Sequence, residues 1–273
     1  MIHWNIDPEI FSWGFIHIRY YSLMFLISFL LGIVIMKKIF RHEGKNELDV
    51  DDLLVYMMFG VILGARLGHV LFYDPAFYFT HPLEILMVWK GGLASHGAAI
   101  GIVTAIYYFS KKKYYNFLWL MDRIVIVVAL SGSFIRLGNL FNSEIYGRAT
   151  DLPWSFVFER IDNIPRHPTQ IYESLAYLII FVVLWKIYDG LKDKTPRGYL
   201  FGLSLVLIFG FRFFVEFLKA VQEPWEAGMA LDMGQILSIP AVIIGVWLMI
   251  SAKNRPFTQP KRPKEKIKGK SKK

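Results

Sequence analysis

Of 273 residues, 55% are hydrophobic, 16% aromatic and 19% charged, at a mean hydropathy of +0.39; that is too little charge for a soluble domain, and several apolar runs reach the ~18–20 residues that cross a bilayer. The chain has no cysteine, which removes disulfides, thiolate metal sites and a cysteine nucleophile at once, so any thiol in its chemistry comes from a partner. The net charge of +9 is confined to the segment 253–273, which holds ten Lys/Arg and the single acid Glu265; such a run reads as a disordered tail lying on anionic headgroups, not as a nucleic-acid arm.

The fold class that follows is all-α, a polytopic membrane helix bundle. The opening "MIHWNIDPEIFSWGFIHIRYY" has no basic n-region and no small-residue cleavage site, so it is expected to be a mature segment, an interfacial helix with Trp4, Phe11 and Trp13 at the headgroup level. Seven candidate spans follow, at about 20–36, 53–73, 92–110, 117–141, 170–188, 198–218 and 233–252. Placing the N-terminus outside gives the cytoplasmic loops and tail twenty-one Lys/Arg against six outside, and eleven against six without the tail. The C-terminus is then cytoplasmic. Residues 1–252 are expected to form one membrane-embedded domain, including a folded outer-face loop at about 142–166 with the "DLPW" turn.

Four basic residues, Arg66, Arg123, Arg136 and Arg212, remain within or at the edges of spans. A charge near the bilayer centre costs about 2.5–3.5 kcal/mol on insertion scales, so each needs a partner or a role. Arg123 follows Asp122 and reads as a local or cross-helix ion pair. Arg66, in "GARLGHVLFYDP", has three readings: pairing with an acid of another helix, positioning the "FYDP" turn, or contact with substrate. Arg212 has Glu216 at i+4, so an intrahelical pair and a functional role stand equal. Arg136 shares a helical face with Asn139 and is followed by Asn142, Ser143 and Glu144, which is more polarity than a snorkelling arginine needs. A guanidinium is a planar fork suited to phosphate, and phosphate at this depth belongs to lipid headgroups. A lipid phosphate is therefore the natural counter-ion of Arg136, with Arg212 a second arm.

In "WKGGLASHGAAIG" only Leu93, His96 and Ile100 have bulk beyond the opening pair. His96 is either a satisfied core histidine or, with an ordinary pKa near about 6.5, a proton carrier. The other histidines show no metal-ligand spacing, so no metal and no cofactor is expected. In "RHPTQIYESLAY", Pro168 and Thr169 read as a helix start with Thr169 as cap, which puts Gln170, Tyr172 and Glu173 on the outermost turn.

The stretches "GGLASHGAAIG", "RLGNLFNSEIYGR", "RHPTQIYE", "FRFFVEF" and "MGQILSIP" occur in an order and spacing covering nearly all of 20–250. In these the chain resembles the bacterial phosphatidylglycerol–prolipoprotein diacylglyceryl transferases. The resemblance implies a multi-pass enzyme of the bacterial cytoplasmic membrane with seven spans. It also implies a reaction, transfer of diacylglyceryl from phosphatidylglycerol to the lipobox cysteine thiol of a prolipoprotein. A thioether forms and glycerol phosphate is released, the first step of lipoprotein maturation. Arg136 and Arg212 match the family's essential arginines, His96 the histidine proposed as base, Asn139 and Glu144 the signature's polar residues, and Tyr21 a needed tyrosine of the first span. The implied partners are phosphatidylglycerol, lipobox signal peptides and membrane lipids. This sequence departs from the family's pattern at Ile135 and Ser143, each where a glycine is usual, in "GNL" for "GNF", in Ala98 as the second residue after the histidine, and at Lys219 where arginine is common. Lys219 keeps the charge but loses the bidentate fork.

Two other classes fit parts of the pattern. A transporter for an anionic metabolite would use the same arginines near midplane, but no internal repeat accompanies them. A metal-dependent lipid phosphotransferase would need clustered aspartates in a span, whereas the acids of "ELDVDD" read as a solvated helix start.

Overall fold

The structure, a computed structural model, describes residues 1–14, 16–221 and 228–255. Its residues belong to two compact units, one built from Met1–Lys45 and Met121–Phe257, the other from Asn46–Leu120. In chain order the elements are β1 (Ile2–Trp4), β2 (Glu9–Trp13), β3 (Ile16–Arg19), α1 (Tyr20–His42), α2 (Leu48–Phe72), α3 (Pro75–Thr80), two short 3-10 turns, α4 (Ser95–Lys113), α5 (Phe117–Asn142), β4 (Phe156–Phe158), β5 (Pro165–Arg166), α6 (Thr169–Leu191), α7 (Tyr199–Glu216) and α8 (Met233–Ala252). Six of these helices, α1, α2, α5, α6, α7 and α8, are long and apolar enough to cross a membrane, as a polytopic helix bundle requires. The span expected at 92–110 is α4, which lies outside those six because glycine, serine, threonine and three terminal lysines dilute its apolar residues. The basic tail beyond Arg255 lies outside the described residues.

The N-terminal segment is not the expected interfacial helix. Ile2, His3 and Trp4 pair in parallel with Phe156, Val157 and Phe158, and β2 and β3 form an antiparallel hairpin. Two features defeat a helix here: Pro8 lacks a donor, and "IHIR" alternates apolar and polar with a period of two. Gly14 turns the hairpin at φ +59°, a conformation most side chains resist. Arg19 and His17 both bond the Glu9 carboxylate.

The 142–166 segment is folded. β4 lies between β1 and β5, and Phe156 and Phe158 pack with Leu140 of α5, Trp4, Tyr146 and Ile171. Trp4 Nε1 donates to the Leu140 carbonyl at 3.0 Å. Arg166 stacks 4.9 Å over the Tyr146 ring and bonds Asp162, holding the Asp162 carboxyl below the usual carboxylate range.

At the opposite end of α5, Arg123 is fully buried and pairs with Glu43, just past α1, at 2.9 Å, with Asp122 at 3.8 Å. Asp122 accepts from the amides of Gly198 and Phe201, tying in the start of α7. α8 begins with a capping box, in which Asp232 accepts from the Gln235 amide at 2.9 Å and the Gln235 side chain accepts from the Asp232 amide at 3.2 Å.

In the other unit, α2 and α4 pack backbone to backbone through Gly60, Gly64 and Gly68 against Gly97 and Gly101. A Cβ on Gly68 would stand 2.7 Å from the Gly97 Cα. The sequence reading of the acids that open α2 as solvated does not hold for all of them. Asp49 is buried, accepting from Lys113 at 2.8 Å and from the Tyr115 hydroxyl at 2.7 Å, because α4 returns its basic end to the start of α2.

Truncating one member of a buried pair strands the other. Arg123→Ala is therefore expected to cost about 3–5 kcal/mol of stability, read as a large drop in the thermal unfolding midpoint of the detergent-solubilised protein; an unchanged midpoint would refute the pairing.

Candidate active site

α5 ends with Arg136 and Asn139 one turn apart on one face. Arg136 Nη1 donates to Asn139 Oδ1 at 3.3 Å, and Asn139 Nδ2 donates to Glu144 Oε2 at 3.2 Å. Asn142 Nδ2 donates to the other Glu144 oxygen at 3.2 Å. Glu144 sits on a turn whose neighbours Ser143 and Ile145 both take positive φ, +56° and +55°, an unfavourable region for non-glycine residues, most of all for β-branched Ile145.

α6 holds that turn in place. Thr169 Oγ1 donates to the Ile145 carbonyl at 2.8 Å, and Gln170 Nε2 donates to the Glu144 carbonyl at 2.7 Å. Both side chains are fully buried. Thr169 is thus not the helix cap that its place after Pro168 suggests; α6 has no side-chain cap, and the hydroxyl serves the strained turn. Downstream, Gly147 lies where a Cβ would stand 2.5 Å from His167 Cβ and 2.7 Å from the Leu218 carbonyl oxygen, so only glycine lets residues 146–148 run between those strands. Tyr21, at the start of α1, packs on the bare face of α5 at Gly138, where a Cβ would meet its ring at 2.7 Å.

Arg136 and Arg212 are joined by buried charges of which the sequence reading offered only Glu216, as the i+4 partner of Arg212. Arg136 Nε lies 3.1 Å from Glu173 Oε2. Lys219 Nζ lies 3.1 Å from Glu173 Oε1 and 2.9 Å from Glu216 Oε2. Arg212 Nε stands 4.0 Å from the same Glu216 oxygen and has no hydrogen-bond partner among the described residues. Glu173 is wholly buried and Lys219 nearly so, while the Arg136 and Arg212 side chains keep 16% and 36% of their surface exposed. The arrangement alternates sign, cation at each end and in the middle, carboxylate between. Arg136 therefore has a carboxylate partner, contrary to the expectation that a lipid phosphate is its counter-ion, yet three cations share two carboxylates and neither arginine is sealed.

His96 belongs to the other unit, in the first turn of α4. It is exposed, with Nε2 3.2 Å from the Tyr73 hydroxyl and the two rings stacked at 5.9 Å. Among the described residues Arg66 meets no acid, which removes the acid-pair reading of the three. Its guanidinium donates to four backbone carbonyls, of Ile85 at 2.9 Å, Gly91 at 2.6 Å, Gly92 at 3.2 Å, and Glu84. It staples the segment that leads into α4, and so fixes the start of the helix carrying His96. Tyr172 accepts from Trp154 Nε1 at 2.9 Å and anchors the 142–166 segment. Among the described residues no group of three or more His, Asp or Glu is placed to hold a metal ion.

The sequence profile of the prolipoprotein diacylglyceryl transferase family matches residues 8–251. The phosphatidylglycerol–prolipoprotein diacylglyceryl transferase of Tolumonas auensis is 48% identical over 93% of this chain and 99% of its own. That of Chloroherpeton thalassium is 48% identical over 92% and 94%, and that of Bacteroides fragilis 44% over 91% and 94%.

The clamp on the 143–145 turn predicts an unequal pair of mutants. Gln170→Leu strands the buried Glu144 carbonyl and is expected to lower stability by about 1–3 kcal/mol, whereas Tyr172→Phe, losing a bond to half-exposed Trp154, should stay within about 0.5 kcal/mol; thermal unfolding of both in one detergent checks it.

Proposed function

The chain belongs to the prolipoprotein diacylglyceryl transferase family, and we propose that it moves the diacylglyceryl group of phosphatidylglycerol onto the lipobox cysteine of a prolipoprotein. The cysteine sulfur forms a bond to the glyceryl carbon. The bond from that carbon to the phosphate ester oxygen breaks, and the electron pair leaves with glycerol phosphate. The thiol proton must go to a base.

The observation that carries this reading is the partly exposed Arg136–Arg212 pair on its buried carboxylates. A phosphodiester with one charge becomes a leaving group with nearly two, and fixed guanidinium donors stabilise charge that develops in the transition state. Arg136 does not have to be organised when substrate arrives, because Glu173 and Asn139 already hold it; Arg212 stands near Glu216 with its Nε hydrogen uncommitted among the described residues. In this reading Arg136 and Arg212 bind the phosphate, Asn139 and Glu144 orient the headgroup and the Arg136 fork, and Tyr21 lines the lipid side at Gly138. His96 takes the thiol proton, its free ring nitrogen set by the Tyr73 hydroxyl.

The same reading keeps seven spans with α4 as the third, the N-terminus outside, the C-terminal tail cytoplasmic, and residues 1–252 as one catalytic domain in the bacterial cytoplasmic membrane. The lysine distribution supports that orientation. The thiol absent from this chain arrives on the acceptor.

The decisive assay incubates the protein with labelled phosphatidylglycerol and a lipobox peptide. Label is expected on the cysteine peptide and not on its Cys→Ser counterpart; label on neither refutes the assignment. In the same assay Arg136→Ala should lose at least about a hundredfold in rate while still folding, and Arg136→Lys should be nearly as poor, because an ammonium cannot replace the fork.

A further inference from the structure

We propose that Lys219 sets the charge balance of the phosphate site, and so acts as a positioning residue for Arg136 and Arg212; this rests on the transferase reading above. Two guanidiniums facing two carboxylates would be neutral as a group, with each arginine drawn to its own acid. The Lys219 ammonium contacts both acids, 3.1 Å from Glu173 and 2.9 Å from Glu216. Among Arg136, Glu173, Lys219, Glu216 and Arg212 it thereby leaves one unit of positive charge over, carried by the two arginines, the more exposed members; Glu144 is linked to that array only through Asn139.

Burial makes the balance consequential. Lys219 and Glu173 have almost no accessible surface, so water screens their interactions little. The backbone shows that Lys219 is placed and not loosely tethered. Its carbonyl accepts from Arg148 Nε at 2.9 Å, Gly147 bridges to it, and the next amide, of Ala220, donates to the Tyr146 carbonyl at 3.2 Å. The segment that pins Lys219 is thus the one leaving the strained Glu144 turn, and a single stretch of chain positions Lys219 and Glu144 together. An ammonium on a four-carbon stem suits this place, since it can donate to two acids at once and needs no planar fork.

The test uses the full-length protein, labelled phosphatidylglycerol and the lipobox peptide. Lys219→Met should raise the KM for phosphatidylglycerol and weaken inhibition by added glycerol phosphate, with kcat/KM falling about tenfold or more. Lys219→Arg, which keeps the charge, should stay within about threefold of wild type, on the order of the packing change alone. Lys219→Met combined with Glu216→Gln restores the surplus while leaving the Glu173–Arg136 pair intact, and should recover most of the loss in KM and in inhibition. A lysine needed only for packing would lower the unfolding midpoint and the active fraction, with KM and the glycerol phosphate inhibition constant unchanged; that result overturns the proposal. So does a double variant that folds yet binds glycerol phosphate no better than Lys219→Met. Should Lys219→Met fail to accumulate, Lys219→Arg decides, and a folded Lys219→Arg as inactive as Arg136→Ala overturns it. A wild-type chain that labels no peptide refutes the transferase reading itself, whereas a working wild type with either overturning result refutes only the charge balance.

Discussion

Glu173 is a carboxylate with no accessible surface, and three helices are organised by the need to neutralise it. An isolated carboxylate in an apolar interior is strongly disfavoured. Here it draws Arg136 from α5 on one side and Lys219, just beyond α7, on the other, while Tyr177 on its own helix approaches the same carboxylate. Glu216 extends the pattern to Arg212 and rests against the bare backbone of Gly234 at the start of α8, where a Cβ would stand 2.6 Å away. The start of α8 therefore adjoins the same cluster, and its capping box secures that start independently of the charges.

The second constraint is the backbone strain around Glu144. Two positive-φ residues that are not glycine persist only where the surroundings over-determine them. Thr169 and Gln170 supply that determination from α6, four and three residues before Glu173. One helical turn of α6 thus does two jobs, fixing the strained turn with its first residues and the guanidinium with its next carboxylate. Changes in the "HPTQ" stretch propagate to Arg136 by both routes.

Much of this was legible in the chain. The apolar runs fixed the long helices closely; α5, expected at about 117–141, is Phe117–Asn142, and α8, expected at about 233–252, is Met233–Ala252. Arg136 and Asn139 could be paired because they lie one turn apart on one helix. The Glu173–Lys219–Glu216 cluster could not, because Glu216 and Lys219 are close in sequence but Glu173 belongs to another helix, and periodicity says nothing of which helix faces meet. Lys219 looked like a weakened arginine when its company was unknown; beside two carboxylates, an ammonium is well suited. Arg66 misled in the other direction. Charge alone suggests an acid partner, but Gly91 and Gly92, at φ +84° and +69°, turn their carbonyls to the guanidinium, and backbone dipoles replace the acid. The N-terminal strands were missed because a run of aromatic residues suits an interface helix and a hairpin equally by composition; Pro8 and the period-two alternation were the signal that distinguished them.

Keeping carboxylates so close to the proposed phosphate site has a physical logic. Two unopposed arginines would bind the phosphodiester well and the more highly charged product better, so release would slow as affinity rose. Catalysis gains only from interactions that strengthen between ground and transition state. Glu173 holds the Arg136 guanidinium in place while the two acids cancel most of the arginines' charge, which in this reading limits attraction to the finished product. The remaining single charge, with fixed donor geometry, favours the moment when negative charge builds on the departing oxygen. In this reading orientation comes from the acids and net attraction from the surplus cation, and a lysine at position 219 supplies that cation while contacting both acids.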